Sequence, residues 1–296
     1  MHYDAAVFYC VLEGFSKQSA VGRFPPDKDT SKTMASSRSF YAAFDLCVCL
    51  GVLCVVFVCF WNSHWRGGFA WDGTESQFNW HPVLLVTGTL VLYGLGAVLY
   101  RLSCTWSQGK LPWKILHAGL MLAALLLSIT GLTAAFQVHR NLKIPDMYSL
   151  HSWVGLCTAV IFACQWLLGV VGFLCPCSSP RFRGGLKPLH VWMGKVVLML
   201  VLASCISGIN ENLYFALNGV SAAAYSSLPL EAWFANTLGV LIVVFGLVLF
   251  GLLSKADWQR PDANNEETAL LLREESSGQL VDNRVRMKEE SHDADI

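Results

Sequence analysis

His81, His117, His151 and His190 stand one each near an end of four successive apolar runs. A neutral imidazole offers one ring nitrogen to a metal and the other as a hydrogen-bond donor. An ionisable side chain inside a membrane-spanning stretch is costly and marks function by default. Four such histidines at matched positions fit two axial pairs, each able to hold the iron of one haem. Interhelical hydrogen bonding, a proton relay and a zinc or copper centre are the competing readings. A relay needs embedded Asp or Glu companions, and the interiors of the runs hold essentially none. Two histidines alone leave a zinc or copper coordination set incomplete.

The elements that must position these histidines follow from composition. The chain has 296 residues, 54% hydrophobic and only 14% charged. Soluble domains carry about a quarter charged residues. Formal net charge is zero, so nothing points to nucleic acid. Six apolar runs are long enough to span a bilayer: Phe44 to Trp61, Pro82 to Tyr100, Ile115 to Val138, Leu150 to Cys175, Leu189 to Ile209 and Trp233 to Leu253. Backbone groups in lipid must be paired within each segment, which predicts helices. The expected fold is an all-α membrane protein of six transmembrane helices with a four-helix dihaem core made by helices two to five. The expected organisation is a disordered cytoplasmic segment 1–43, a six-helix domain 44–254 and a disordered cytoplasmic tail 255–296. No cleavable signal peptide is expected, because the N-terminus lacks an apolar core with a small-residue cleavage site.

Lys and Arg set the orientation. Arg101, Lys110 and Lys114 lie between runs two and three, and Arg181, Arg183 and Lys187 between runs four and five. The positive-inside rule places both links, and both termini, in the cytoplasm. Lys28, Lys32 and Arg38 before the first run agree, and Trp61, Trp65, Trp71, Trp80, Trp106 and Trp113 form interfacial belts. Helices two and four then start outside, so His81 pairs with His151 at the outer end. Helices three and five start inside, so His117 pairs with His190 at the inner end. Ligands one turn inside each end put the two centres on the order of 20 Å apart.

Fourteen residues along a helix return to nearly the same face. From His117 that reaches Gly131, from His151 Gln165, from His190 Ser204, and from His81 Leu95 between Gly94 and Gly96. These small or polar residues are expected to face the opposite haem. Of eleven cysteines, most lie inside apolar runs and read as structural; Cys175 and Cys177, astride Pro176, are palmitoylation candidates.

Five stretches carry a family resemblance: Phe78-Asn79-Trp80-His81-Pro82, Tyr100-Arg101, Lys110-Leu111-Pro112-Trp113-Lys114, Tyr148-Ser149-Leu150-His151-Ser152-Trp153 and Lys187-Pro188-Leu189-His190. From about Trp65 to Pro261 the chain resembles cytochrome b561, the six-helix ascorbate-dependent electron-transfer family. It is most similar to the lysosomal and late-endosomal branch in Arg66 to Trp71, Phe162 to Trp166 and Ser207 to Glu211.

The resemblance implies that all four histidines are axial ligands of two haem b groups. It implies that cytoplasmic ascorbate is the donor, and that lumenal ferric iron or monodehydroascorbate is the acceptor. Lys110, Lys114 and Arg183 match the family's ascorbate site, and Arg101 is expected to join them or hold a haem propionate. His139, twelve residues before His151, matches a histidine of related ferric reductases, and Tyr148 and Asn79 are expected on the lumenal side. A homodimer in the lipid bilayer is implied as well. A transporter without haem is the reading outside this class.

In the tail, Glu266 and Glu267 each precede a leucine pair within Leu270, Leu271 and Leu272, which resembles an acidic dileucine signal read by sorting adaptors. Late endosome and lysosome are the expected address. Lys195 departs from the relatives, which carry an apolar or small residue there. The first 33 residues match nothing in the family, and Met34 is an expected alternative start.

Overall fold

Along Lys110–Leu142 the buried positions include Trp113, Met121, Ala124, Ser128, Gly131 and Val138, the three- and four-residue spacing of one helix face. His117 falls on that stripe. Leu126 and Ile129 on the opposite side are more than half exposed, the outward apolar surface that lipid requires. The computed structural model describes residues 28–106, 109–218 and 224–260, with side chains from residue 36 onward. It contains six helices long and apolar enough to cross a membrane. They are α1 (Lys28–His64), α2 (Glu75–Arg101), α3 (Lys110–Leu142), α4 (Leu150–Leu174), α5 (Pro180–Leu217) and α6 (Leu230–Ser254). All belong to a unit that ends at Trp258, and no strand occurs among the described residues.

Local chemistry sets the helix ends that carry histidines. Ser149 caps α4 through a reciprocal pair with Ser152: the Ser152 N–H donates to Ser149 Oγ and the Ser149 N–H to Ser152 Oγ, both at 3.2 Å. This fixes the first turn that presents His151. Ser179 caps α5 by accepting from the Phe182 N–H, with Pro180 in the first turn. Pro188, inside α5 two residues before His190, cannot donate to the turn behind it. α2 is α-helical over Trp80–Leu85 and Tyr93–Val98, winds as a π-helix over Val86–Leu92 between them, and ends in a 3-10 turn at Leu99–Arg101. A Cβ at Gly88 in that turn would come within 2.8 Å of the Ala124 carbonyl, so the α2 and α3 backbones meet there.

α1 and α6 pack together and flank the middle four. Phe57 stacks on Phe234 with ring centres 4.7 Å apart, and a Cβ at Gly94 of α2 would meet Leu249 of α6 at 2.7 Å. At the end of this flank that holds the start of α6, the Trp61 indole donates to Glu231 at 2.8 Å, and Arg66 pairs with the same carboxylate. Glu231→Ala therefore strands a nearly buried guanidinium and an indole N–H. The expected loss is about 2–4 kcal/mol, discounted for the partial exposure of Arg66. In a thermal scan of the detergent-solubilised protein the midpoint should fall by about 5 °C or more. An unchanged midpoint would remove this cluster from the account.

Two expected boundaries move. Residues 28–43, read as part of a disordered segment, continue α1 upward from Lys28. The tail starts later than residue 255, because Lys255–Trp258 folds back onto α1: Trp258 stacks edge-on against Phe40 at 5.4 Å, and its indole donates to the Ser36 carbonyl. Burying one large aromatic stabilises both segments. Residues 1–27 and the dileucine stretch Glu266, Glu267 and Leu270–Leu272 lie outside the described residues.

Candidate functional site

The four histidines meet in the pairs that topology predicted. His81 and His151 face each other with ring centroids 6.1 Å apart, nearly perpendicular. His117 and His190 face each other at 6.3 Å with their planes inclined at 70°. Two imidazoles bonded at about 2 Å to one metal between them place their centroids on the order of 6 Å apart. Both pairs have that spacing.

Three of the rings are braced by backbone. His81 Nδ1 lies 3.2 Å from the Gly131 carbonyl, His117 Nδ1 2.9 Å from that of Gly96, and His151 Nδ1 3.0 Å from that of Ser204. A carbonyl only accepts, so each Nδ1 carries the proton and Nε2 keeps its lone pair, the tautomer that metal-binding histidines use. His190 differs. Its Nδ1 is buried without a partner, and its backbone carbonyl accepts from Gln165 Nε2 at 2.5 Å.

The braces are reciprocal. α2 presents His81 at one end and the Gly96 carbonyl at the other, while α3 presents Gly131 and His117 in return. α4 and α5 repeat this with His151 on Ser204 and Gln165 on His190. Positions about fourteen residues from each histidine therefore buttress the other pair through polar backbone or amide contact. Glycine clears space around two rings: a Cβ at Gly208 would lie 2.7 Å from His151 Cε1, and one at Gly169 3.0 Å from His190 Cε1. Between the pairs, Tyr93 meets Phe162 edge-on at 5.0 Å, and its hydroxyl donates to the Gly194 carbonyl. That tyrosine is not among the sequence candidates, although a lone phenol deep in an apolar run is a signal that it has a partner.

Beside His117 and His190 lies a cluster of cations. Lys110 and Lys114 open α3, and Arg183 sits in the first turns of α5. Lys110 and Arg183 stand close enough to Lys114 to repel it electrostatically. Lys114 Nζ donates to the Phe173 carbonyl at 3.2 Å, and Arg183 donates through Nε and a terminal nitrogen to the Ser178 carbonyl. Arg101 is engaged elsewhere. Its guanidinium clamps the carbonyls of Leu253 and Lys255 at the end of α6, where a cation satisfies orphan acceptors. In this structure the guanidinium serves the end of α6.

At the other end His139 lies 3.1 Å from Asp146 and stacks flat on Phe78, which in turn leans on His81 at 5.5 Å. His139, Phe78 and His81 thus form a continuous aromatic column to the His81–His151 pair. Tyr148 is 55% exposed, and partial burial together with the Glu211 carboxylate pushes its phenol above the ordinary tyrosine range. Asn79 is not available to a substrate: it is buried, and its amide donates to the Arg66 and Gly68 carbonyls, tying down the loop between α1 and α2. Among the described residues no group of three or more His, Cys, Asp and Glu could hold a free metal ion.

A six-span bundle whose four middle helices carry a facing imidazole pair toward each end defines a helical membrane protein built to hold a macrocyclic metal centre. Residues 80–216 match the family model described as eukaryotic cytochrome b561. The chain is 53% identical over 230 residues to the lysosomal membrane ascorbate-dependent ferrireductase of Danio rerio, covering 77% of this chain and 93% of the relative. It is 48% identical to the human protein of that name, covering 77% and 94%, and 42% identical to the plasma membrane ascorbate-dependent reductase of Xenopus laevis, covering 77% and 80%. The chain belongs to the cytochrome b561 family, and with that membership comes binding of haem b.

Proposed function

We propose that the protein carries electrons across a lysosomal membrane, from cytoplasmic ascorbate to lumenal ferric iron. In this reading His81 with His151 and His117 with His190 each hold one b-type haem. The observation that carries it is the pair geometry: two ring separations of 6.1 and 6.3 Å, with three imidazoles locked in the metal-binding tautomer. Bound haem iron supplies a centre that takes up and returns one electron without rearranging its protein ligands.

The chain's own residues do the rest. Lys110, Lys114 and Arg183 face an anion, and ascorbate is an anion near neutral pH. Their position beside His117 and His190 makes that end the donor side and, with the positive-inside rule, the cytoplasmic one. The carbonyl braces keep the His81, His117 and His151 imidazoles from swinging out of line when charge changes at the site. At the lumenal end the His139–Phe78–His81 column leads from the outer pair to the surface, and Asp146 orients His139. We assign the late-endosomal and lysosomal address to the dileucine stretch of the cytoplasmic tail, and homodimer assembly to the family's habit.

Vesicles reconstituted with the protein, ascorbate outside and a ferric chelate inside, test this reading. Ferrous iron should appear inside, and a vesicle that reduces only monodehydroascorbate would replace the acceptor while keeping the path. In the same assay Lys110→Ala with Lys114→Ala should raise the KM for ascorbate about tenfold, the effect of losing about 1.4 kcal/mol of attraction, with haem content unchanged. An unaltered KM would detach these lysines from the donor site.

A further inference from the structure

The turn after α4 carries two cysteines that the proposed electron path does not use. Cys175 and Cys177 are 3.0 Å apart, sulfur to sulfur, in a four-residue turn closed by the Ser178 N–H donating to the Cys175 carbonyl. Pro176 occupies the second position of that turn, where its fixed φ is favoured. The turn lies just past the end of the fourth span, with Cys177 exposed. Carbonyls just before the turn and at its last residue hold the candidate donor site: Phe173 accepts from Lys114, and Ser178 from Arg183.

We propose that Cys175 and Cys177 form a thiol–disulfide exchange site for glutathione-type disulfides, and that closing the disulfide repositions Lys114 and Arg183. The second half rests on the ascorbate reading above. Cys175 is the attacking group. The hydrogen bond shared with Cys177 holds its thiol below the ordinary cysteine range, while the same contact pushes that of Cys177 up. The Cys175 thiolate attacks one sulfur of the small disulfide and releases one small thiol, which takes up a proton. Cys177 then loses its proton and attacks the Cys175 sulfur, releasing the second small thiol. One S–S bond forms in the protein as one breaks in the co-reactant, and two electrons pass from the dithiol to it. Closure draws the sulfurs to about 2 Å and stiffens a turn whose last residue anchors Arg183. A cytosolic disulfide in an exposed one-residue loop is expected to be transient and regulatory.

The experiment equilibrates the purified full-length haem protein with glutathione at graded ratios of oxidised to reduced form. It reads the mass of the peptide containing residues 175–177 and the KM for ascorbate. The peptide should lose two hydrogens as the buffer becomes oxidising, and KM should change by about threefold or more, the size expected when a cation moves by a few ångströms. Cys177→Ser should accumulate a glutathione adduct on Cys175 because the resolving thiol is gone. The Cys175→Ser/Cys177→Ser double variant should hold one KM at every ratio. If no mass loss occurs at any ratio, the exchange site is overturned. Mass loss with a constant KM overturns the coupling to the donor site. Mass loss in a protein that ascorbate never reduces upholds the exchange site and rejects the ascorbate reading instead.

Discussion

His117→Ala should strip the haem at the cation-rich end, leave the one at the outer end, and stop electron entry from ascorbate. The reason is geometric. His117 is one of only two imidazoles in its pair, 6.3 Å from His190, and its Nδ1 is fixed by the Gly96 carbonyl on the neighbouring helix. Alanine removes a ligand and leaves that carbonyl without its donor. Changes to groups that merely orient a ligand lower affinity or activity about 10–100-fold, so loss of the ligand itself should exceed about a hundredfold in ascorbate-driven rate. Haem content should fall by half while the outer pair, with His151 braced by Ser204, keeps its spectrum. Loss of both haems, or a normal rate, would break the assignment of His117 to a separate inner centre.

Gly208→Ala is the second large effect, and it comes from a residue with no chemistry of its own. A single Cβ there would sit 2.7 Å from His151 Cε1 and 3.0 Å from Nδ1. The ring cannot retreat freely, because its Nδ1 is tied to Ser204 at 3.0 Å. Overpacking of this kind costs about 1–3 kcal/mol, equivalent to a roughly 10–100-fold loss of outer-haem affinity. Gly169→Ala should act on the inner centre in the same sense but more weakly, since its Cβ would meet His190 at 3.0 Å. Gly119 and Gly239 have nothing within 4 Å of a built Cβ, so alanine there serves as the control. Haem retention during detergent dilution reads the difference. If Gly208→Ala retained its haem as well as Gly119→Ala, the tight seat around His151 would not be what holds that group.

The pairing of the histidines was legible because it depends on two things a linear sequence carries: depth along an apolar run, and the Lys and Arg bias of the links. Helical rise did the same for Gly131, Gln165 and Ser204, whose spacing placed them at the opposite pair. What was not legible depends on partners far apart in the chain. Arg101 looked like a member of the inner cationic group, but the carbonyls it clamps lie more than 150 residues later. Asn79 looked like an outer-site residue, but its amide is consumed by loop carbonyls 11 and 13 residues earlier. Glu231 drew no notice, because its partners Trp61 and Arg66 lie 170 and 165 residues earlier. Cys175 and Cys177 read only as palmitoylation candidates, because a one-residue gap matches no familiar metal or redox spacing. Only the turn at Pro176 brings their sulfurs together. The extension of α1 back to Lys28 escaped notice because polar residues there hide a helix that Trp258 docks against from the other end of the chain.

In this reading two separate bis-histidine centres lie at opposite ends of one bundle. Haem content per chain, measured on the purified protein and on His81→Ala, His151→Ala, His117→Ala and His190→Ala, checks that arrangement. Two haems are predicted for the unaltered chain. His81→Ala and His151→Ala should lose the same spectral component, and His117→Ala and His190→Ala the other. One haem per chain, or a common component lost by His81→Ala and His117→Ala, would contradict it.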